Sequence, residues 1–189
     1  TRPPVTFGER EQFLLLEEAF EDETLIADAT IEVGLGAVNL TSVTSYTDRS
    51  ILVSRDASAL TGSVSVDLGF AEADVLLPSN LLDTTDVEQW TQEIRLASNT
   101  DSSLQWLIGG FYSDTDRDYA QRLPTPGYDV ATDAALGAGT AAGAANGYDA
   151  DSPFNSDLPY ELTQFAVFGE ATYDVNDRFS VTAGARYYD

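Results

Sequence analysis

Polar and apolar side chains alternate in the stretch that decides the fold, Arg178-Phe179-Ser180-Val181-Thr182-Ala183-Gly184-Ala185-Arg186-Tyr187. Successive side chains of an extended chain point to opposite faces, so the apolar members share one face and the arginines and hydroxyls share the other. The same alternation recurs in four further segments, at residues 25–33, 89–97, 104–112 and 164–174. The sequence therefore predicts an all-β fold whose strands each have one apolar and one polar face.

The charged residues inside these segments all occupy the polar face. They are Asp28, Glu32, Glu93, Arg95, Glu170 and Asp174. Random placement would divide them between the two faces, so the surroundings of the apolar face exclude charge strongly. A lipid bilayer does this, because an Arg or Lys on the lipid face at mid-membrane depth costs roughly 2–4 kcal/mol. The pattern favours antiparallel strands of a transmembrane β-barrel.

Composition narrows the classes of function. The 189 residues are 43% hydrophobic, which would also suit a soluble core, and no apolar run is long enough for a transmembrane helix. The net charge of −23 argues against a nucleic-acid partner. The chain has no Cys and no His, which excludes zinc sites, disulfides and His-based acid–base chemistry within it. We therefore expect neither enzymatic activity nor a cofactor.

Connections between the predicted strands alternate between short and long. Strands are predicted at residues 24–33, 37–48, 88–98, 103–115, 161–174 and 178–189. Short turns follow at 34–36, 99–102 and 175–177, and long connections run over 49–87 and 116–160. Outer-membrane barrels have short periplasmic turns and long extracellular loops. We expect an up-and-down barrel segment of about six strands with two long extracellular loops.

Some local predictions remain less determined. The strand at 37–48 has an ambiguous face, because Val38, Leu40 and Tyr46 favour one side and Val43 lies on the other. The long connections predict a short strand at 64–68 and an Ala- and Gly-rich stretch at 134–147 that buries too little apolar area to order. The periodicity of residues 11–23 predicts an acidic amphipathic helix there.

Aromatic residues form two groups if the short turns are periplasmic. An outer group would contain Tyr46, Trp90, Tyr112 and Tyr187, and an inner group would contain Trp106, Tyr173 and Phe179. Two such bands are typical of the aromatic girdles at membrane interfaces. The alternative is that large aromatics are simply common in strands.

A family resemblance rests on three regions. They are Leu40-Thr41-Ser42-Val43-Thr44-Ser45-Tyr46-Thr47-Asp48; Trp90-Thr91-Gln92-Glu93-Ile94-Arg95-Leu96-Ala97-Ser98 with Leu104-Gln105-Trp106-Leu107-Ile108-Gly109-Gly110-Phe111-Tyr112; and Phe165-Ala166-Val167-Phe168-Gly169-Glu170-Ala171-Thr172-Tyr173 with Ala183-Gly184-Ala185-Arg186-Tyr187. These regions resemble the barrel of TonB-dependent outer-membrane receptors of Gram-negative bacteria. The element from Gln92 to Ser98, with its Gly-Gly-Phe-Tyr partner, is the most specific part.

The resemblance implies a 22-stranded barrel plugged by an N-terminal domain. Such a receptor imports a scarce nutrient, for example a ferric siderophore, cobalamin or an oligosaccharide, with energy that TonB passes from the inner membrane. Residues 1–189 would all belong to the barrel domain, in contact with outer-membrane lipid. Because the chain begins at Thr1 without a leader, we expect it to be a piece whose plug, TonB-contacting residues and C-terminal strands lie elsewhere.

Candidate site residues lie in the predicted extracellular loops. Asp114, Asp116 and Asp118 have the first three carboxylate spacings of a calcium loop, but Tyr119 and Thr125 replace its Gly and Glu. A solvated acidic rim is therefore favoured over a divalent-cation site. The loop aromatics predicted to stack on the nutrient are Tyr119, Tyr128 and Tyr148.

Two ion pairs are predicted on the polar wall, Glu93 with Arg95 and Glu170 with Arg186.

Rival functions remain open. A soluble or surface-attached β-sandwich, acting as an adhesin or binding module, would bury one face and give the same alternation. An outer-membrane barrel hydrolase is a weaker rival because the chain lacks a His.

Overall fold

The computed structural model describes residues 8–9, 11–72 and 74–189. Its strands are β1 Ala19–Gly34, β2 Val38–Asp56, β3 Asn80–Ser98, β4 Leu104–Arg122, β5 Asn155–Asp157, β6 Tyr160–Asn176 and β7 Phe179–Tyr188. Its helices are α1 Ser58–Asp67, α2 Tyr128–Leu136, α3 Thr140–Ala145 and a 3-10 helix at Asp74–Leu76. The predicted all-β class is confirmed, since each of the long predicted strands has a counterpart here.

The strands form one mostly antiparallel sheet of seven strands in the order β1-β2-β3-β4-β6-β7, with β5 paired to β4. Apart from the short β5, each strand lies beside its neighbour in the chain, as an up-and-down arrangement requires. In the part of the chain that the structure describes, β1 and β7 are the two edges. The described sheet is therefore open and is not closed into a barrel.

Contacts divide the chain into two compact units. Unit 1 comprises Thr1–Glu21, Ile51–Thr84 and Tyr119–Asp157, and unit 2 comprises Asp22–Ser50, Thr85–Asp118 and Leu158–Asp189. Unit 1 contains all the described helices together with β5, whereas β6 and β7 belong to unit 2. The long strands β2, β3 and β4 contribute residues to both units.

Strand register in unit 2 confirms the alternation predicted for its last three strands. Tyr112 of β4 lies opposite Phe165 of β6, and Leu104 lies opposite Tyr173. Tyr173 in turn lies opposite Val181 of β7. Because paired residues share a face, the apolar sides of β4, β6 and β7 form one continuous surface.

Specific turn residues close the hairpins of unit 2. Gly36 has φ of 81°, a left-handed conformation that glycine adopts without strain, and the Leu35 amide donates to the Val38 carbonyl at 2.8 Å. Between β6 and β7, the Asn176 side chain accepts the Arg178 amide at 3.0 Å. An Asn that bonds the backbone two residues ahead favours a tight turn.

Unit 1 has a small core of its own. Phe70, Val75, Tyr128 and Ala131 are buried together, with Leu77 packed against them. The Phe70 and Tyr128 rings lie 5.1 Å apart. These residues come from segments on either side of β3 and β4, so the core ties the two long connections together.

The predicted strand at 64–68 is wrong, because residues 58–67 form α1. The buried face of α1 consists of small residues at helical spacing, Ser58, Thr61, Gly62 and Ser65. Val64 and Val66, whose alternation suggested a strand, are 47% and 57% exposed. Their apolar character therefore does not mark the packed side.

The predicted helix at 11–23 is also wrong, since the chain enters β1 at Ala19 and residues 11–18 form no helix. The carboxylate of Asp56 accepts the amides of Leu15 and Leu16. Strand pairing with β2 overrides the local helical periodicity here.

The stretch at 134–147 is ordered, contrary to expectation, because it contains the end of α2 and all of α3. Asp133 accepts the amides of Gly139 and Ala141, both at 2.9 Å. One carboxylate thus organises the turn between α2 and α3 through amides six and eight residues ahead, a role that composition alone does not reveal.

Candidate functional site

One face of unit 2 exposes a continuous set of large apolar side chains, which we call the apolar belt. Its members are Trp90, Ile94, Leu104, Ile108, Tyr112, Phe165, Val167, Tyr173, Phe179, Val181 and Tyr187. Their exposed fractions run from 43% at Tyr112 to 65% at Tyr187. Soluble monomers rarely expose apolar patches of more than a few hundred Å². The belt is therefore the first candidate for a functional surface.

The opposite face of the same strands carries polar and charged groups. Glu93 and Arg95 form the predicted ion pair at 3.0 Å. The hydroxyls of Thr172 and Thr182 lie 2.8 Å apart on the paired strands β6 and β7. A charged and hydrogen-bonded surface of this kind suits contact with water.

The second predicted ion pair, Glu170 with Arg186, does not form among the described residues. Glu170 lies opposite Gly184, and Arg186 lies opposite Phe168. The Arg186 guanidinium instead lies 5.6 Å from the Phe111 ring and 5.5 Å from the Phe168 ring. Cation–π contact therefore takes the place of the expected pair.

Side-chain contacts resolve the ambiguous face of β2. The rings of Tyr46 and Trp90 lie 5.3 Å apart, so Tyr46 shares the face of the apolar belt. On that face the Thr44 hydroxyl donates to the Gln92 side-chain oxygen at 2.6 Å, and the Gln92 amide nitrogen donates to the Ser42 hydroxyl at 3.0 Å. We call Ser42, Thr44 and Gln92 the Gln92 cluster.

An acidic cleft of about 620 Å³ lies in unit 2 beyond the apolar belt. Its charged lining consists of Asp86, Glu88, Asp116, Arg117, Asp118 and Glu161. Asp116 and Glu161 face each other across β4 and β6, and the Arg117 guanidinium lies 5.4 Å from the Tyr160 ring. Two of the three predicted site carboxylates therefore meet in one cleft.

The third predicted carboxylate, Asp114, accepts a hydrogen bond from the Thr163 hydroxyl at 3.1 Å and does not line the cleft. Because β4 stays extended, alternate Cα atoms are about 7 Å apart. A calcium loop instead turns sharply, so that its oxygens surround one ion at about 2.3–2.6 Å, and an extended strand lacks that turn. No group of three or more metal-ligating residues occurs in the described ranges. The geometry favours the acidic rim.

The three predicted site tyrosines all belong to unit 1, but their surroundings differ. Tyr128 is only 6% exposed and packs on Phe70, so its ring serves the core. Tyr119 donates to Asp83 at 3.1 Å. Tyr148 is 38% exposed, and its ring lies 4.8 Å from the Arg122 guanidinium. Of the three, Tyr148 presents its ring most openly.

Tyr148, Arg122 and Asp157 form a hydrogen-bonded group at the edge of unit 1. The Tyr148 hydroxyl and the Arg122 guanidinium each donate to Asp157 at 2.5 Å. The bond from Tyr148, with that from Arg122 second, lowers the pKa of Asp157 below its ordinary value. The same bond to a carboxylate raises the pKa of Tyr148. Asp157 is therefore ionised at neutral pH, whereas the Tyr148 hydroxyl keeps its proton.

A buried carboxylate that the sequence did not reveal lies in unit 1. Asp83 is 8% exposed and accepts hydrogen bonds from Arg55, Tyr119 and Gln121. These donors lie 28, 36 and 38 residues away in the chain. Such distances leave no local motif, so sequence reasoning had no signal for this network.

Comparisons with models of known families and with curated proteins find no match to this chain. None of the helices in the described ranges is long and apolar enough to cross a membrane. The description of this protein therefore rests on its fold and its surface. The fold is a mostly antiparallel sheet with one exposed apolar face, and a small helical unit is joined to it in sequence.

Proposed function

We propose that the chain forms part of the wall and extracellular loops of a TonB-dependent outer-membrane receptor. In this proposal the apolar belt contacts outer-membrane lipid, and further strands outside the chain complete the transmembrane barrel. The receptor imports a scarce nutrient such as a ferric siderophore, cobalamin or an oligosaccharide. TonB supplies the energy through a plug domain that also lies outside these residues.

The observation that carries the proposal is the contrast between burial and exposure in unit 2. Among its described residues, Ala166 is the only buried apolar residue, whereas the whole apolar belt is exposed. Moving a large apolar side chain out of water contributes about 1.5–3 kcal/mol. A sheet that leaves so many of them exposed is expected to meet apolar surroundings.

The length of the apolar belt supports lipid as that partner. On β4 the belt runs over nine residues, from Leu104 to Tyr112. A tilted transmembrane β-strand needs about 9–11 residues, and its apolar band is bordered by aromatic residues. The register aligns Tyr112 with Phe165 at one border and Leu104 with Tyr173 at the other.

Charge begins where the apolar belt ends. Along the belt face of β4, Asp114, Asp116 and Asp118 follow Tyr112, and Glu161 on β6 lies opposite Asp116. The change from apolar to charged side chains thus occurs at the same register position on β4 and β6. Such a change is expected at the boundary between hydrocarbon and water. The rival β-sandwich would instead cover the belt with a second sheet.

Tryptophan quenching by bromine-labelled lipid tests the lipid contact. The Trp106→Phe variant leaves Trp90 of the belt as the sole tryptophan. The matched control is Phe111→Trp with Trp90→Phe and Trp106→Phe, which moves the indole to the polar face. After the chains are floated with vesicles, we expect strong quenching of Trp90 and weaker quenching in the control. Equal quenching, or a chain that stays monomeric in water and does not float, would contradict lipid contact.

Uptake requires a separate test in the complete receptor. Cells that produce it should accumulate one of the three nutrient types, and deletion of TonB should abolish that accumulation. Accumulation that persists without TonB would overturn the energy coupling while leaving the lipid contact intact.

A further inference from the structure

One asparagine of unit 1 is followed directly by glycine, at Asn146-Gly147, and the chain has no second Asn-Gly pair. A glycine in this position leaves its main-chain nitrogen unhindered, because it has no Cβ. That nitrogen can attack the side-chain amide carbon of the asparagine, which is the first step of spontaneous deamidation. The pair is therefore the first candidate for covalent modification of the chain.

The surroundings of Asn146 differ from those of the other asparagines. Its side chain makes no hydrogen bond with a described residue, the Gly147 amide donates none to one, and both residues are exposed after α3. Four of the other asparagines have hydrogen-bonded side chains, Asn80, Asn99, Asn155 and Asn176. The fifth, Asn39, lies within β2 and precedes the bulky Leu40. The reacting atoms are thus most accessible at Asn146.

The local conformation holds the pair in an unreactive arrangement. Asn146 has φ of 49° and ψ of 41°, a left-handed conformation that a residue with a Cβ adopts only with some strain. At this ψ the Gly147 nitrogen lies anti to the Asn146 Cβ and points away from the side-chain amide. The Tyr148 amide also donates to the Ala145 carbonyl at 3.0 Å across the pair. Ring closure therefore requires this turn to open.

The side chain of Tyr148 fixes the chain directly after the pair. Its hydroxyl donates to Asp157, and its ring lies 4.8 Å from the Arg122 guanidinium. We call these two contacts the Tyr148 anchor. Because the anchor is one residue beyond Gly147, it opposes the main-chain rotation that the reaction needs. Local openings of a folded chain set the rate at which a protected group reacts.

We propose that Asn146-Gly147 is a deamidation site whose rate is set by release of the Tyr148 anchor. When the turn opens, the Gly147 nitrogen loses its proton and bonds to Cγ of Asn146, and the side-chain nitrogen leaves as ammonia. Water then opens the succinimide at either carbonyl and gives aspartate or isoaspartate. Either product adds a negative charge, and isoaspartate also lengthens the main chain before Tyr148. The inference concerns unit 1 alone and does not depend on lipid contact by unit 2.

Incubation of the whole chain in detergent and mildly alkaline water enriched in oxygen-18 tests the site. Peptide mass spectrometry then follows the conversion of each asparagine. We expect Asn146 to be converted first and to give both products, each with one heavy oxygen, because the succinimide takes its new oxygen from water. If Asn146 in the folded chain is converted no faster than Asn39, the site is refuted.

Tyr148→Phe tests the anchor, because it removes the hydroxyl that donates to Asp157 and keeps the ring. We expect conversion of Asn146 to become about fivefold faster, which is the effect of losing one ordinary hydrogen bond. Tyr160→Phe is the matched control, since the Tyr160 ring also lies near an arginine, at 5.4 Å, but belongs to unit 2. This control should leave the rate unchanged.

The chain unfolded in urea gives the upper limit of the rate, because it has no turn to open. The expected order, from fastest to slowest, is the unfolded chain, the folded Tyr148→Phe variant and the folded unaltered chain. Circular dichroism checks that both variants fold. An unchanged rate in Tyr148→Phe, equal acceleration by Tyr160→Phe, or equal acceleration at the other asparagines would overturn the role of the anchor.

Discussion

The buried aromatic pair of unit 1 and the aromatic side chains of the apolar belt in unit 2 are placed in opposite ways. In unit 1, Phe70 and Tyr128 are 7% and 6% exposed and pack on each other. In unit 2, Phe165 and Tyr187 are 50% and 65% exposed on the apolar belt. The exposed aromatic side chains of the belt leave water only if the belt contacts lipid, as proposed above. On that proposal, one chain combines a core suited to water with a surface suited to hydrocarbon.

The largest expected effect tests the core of unit 1. Phe70→Ala should destabilise unit 1 by roughly 3–5 kcal/mol, because it removes a buried ring and leaves a cavity. The matched variant Phe165→Ala, from the belt, should leave the stability of unit 1 unchanged. Hydrogen exchange of the amides of α1 and α2 gives the comparison. Equal loss of protection in both variants would mean that the two units do not differ as described.

The next effect tests the belt itself. Ala183 lies opposite Ala171 on the belt face, so Ala183→Arg should cost roughly 2–4 kcal/mol in vesicles. Thr182→Arg, on the polar face of the same strand, should cost less. Urea titration of the vesicle-inserted chain measures both. A reversed order would make the face assignment of β7 wrong.

A moderate effect is expected at the buried carboxylate of unit 1. Asp83→Asn should cost about 1–3 kcal/mol, because Arg55 loses its charged partner and one donor loses its acceptor. The control Asp157→Asn removes an exposed ion pair and should change stability little. Urea titration that follows unit 1 distinguishes them. A larger loss at Asp157 than at Asp83 would contradict the importance of burial.

The smallest effect is a dependence of the stability of unit 1 on pH. Bonds from the amides of Asp129 and Gly127 lower the pKa of Asp151, and Tyr148 and Arg122 lower that of Asp157. Both groups therefore contribute stability above the unfolded value of about 3.9, and this contribution is lost as the pH falls through their lower folded pKa values. Asp129 acts in the opposite sense, because its hydrogen bond with Asp151 raises its pKa.

Urea titration at pH 7 and at pH 3 measures this dependence. Unit 1 should be less stable at pH 3, and Asp157→Asn should reduce the difference. A difference that is unchanged in this variant would show that other groups cause it.

The strands were predictable from the sequence because their signal is local. An alternation of period two, such as that of β7 from Phe179 to Tyr188, depends only on neighbouring residues. Unit 1 was not predictable in the same way. Its α1 buries serines and a threonine and exposes its valines, so hydrophobicity indicated the wrong side.

The candidate site residues also fall into two groups, those that a local sequence pattern predicts and those whose role depends on distant contacts. The spacing of Asp114, Asp116 and Asp118 is local in the sequence, and because β4 is extended these alternate residues lie on one face of it. The buried role of Tyr128 depends on Phe70, and that of Asp83 depends on Arg55, each far away in the chain. Contacts of this kind follow from the fold and leave no trace in a local pattern.

The Gln92 cluster has a consequence for how strands find their partners in a membrane. A slip of one residue between β2 and β3 would turn every side chain of the shifted strand to the other face. A slip of two would keep the faces but leave Gln92 beside only one of its two hydroxyl partners, Thr44 and Ser42. In hydrocarbon, an unpaired amide costs several kcal/mol, far more than in water. If this sheet inserts into lipid as proposed, the cluster makes a misaligned hairpin less stable than the aligned one, so insertion favours the correct alignment of β2 and β3.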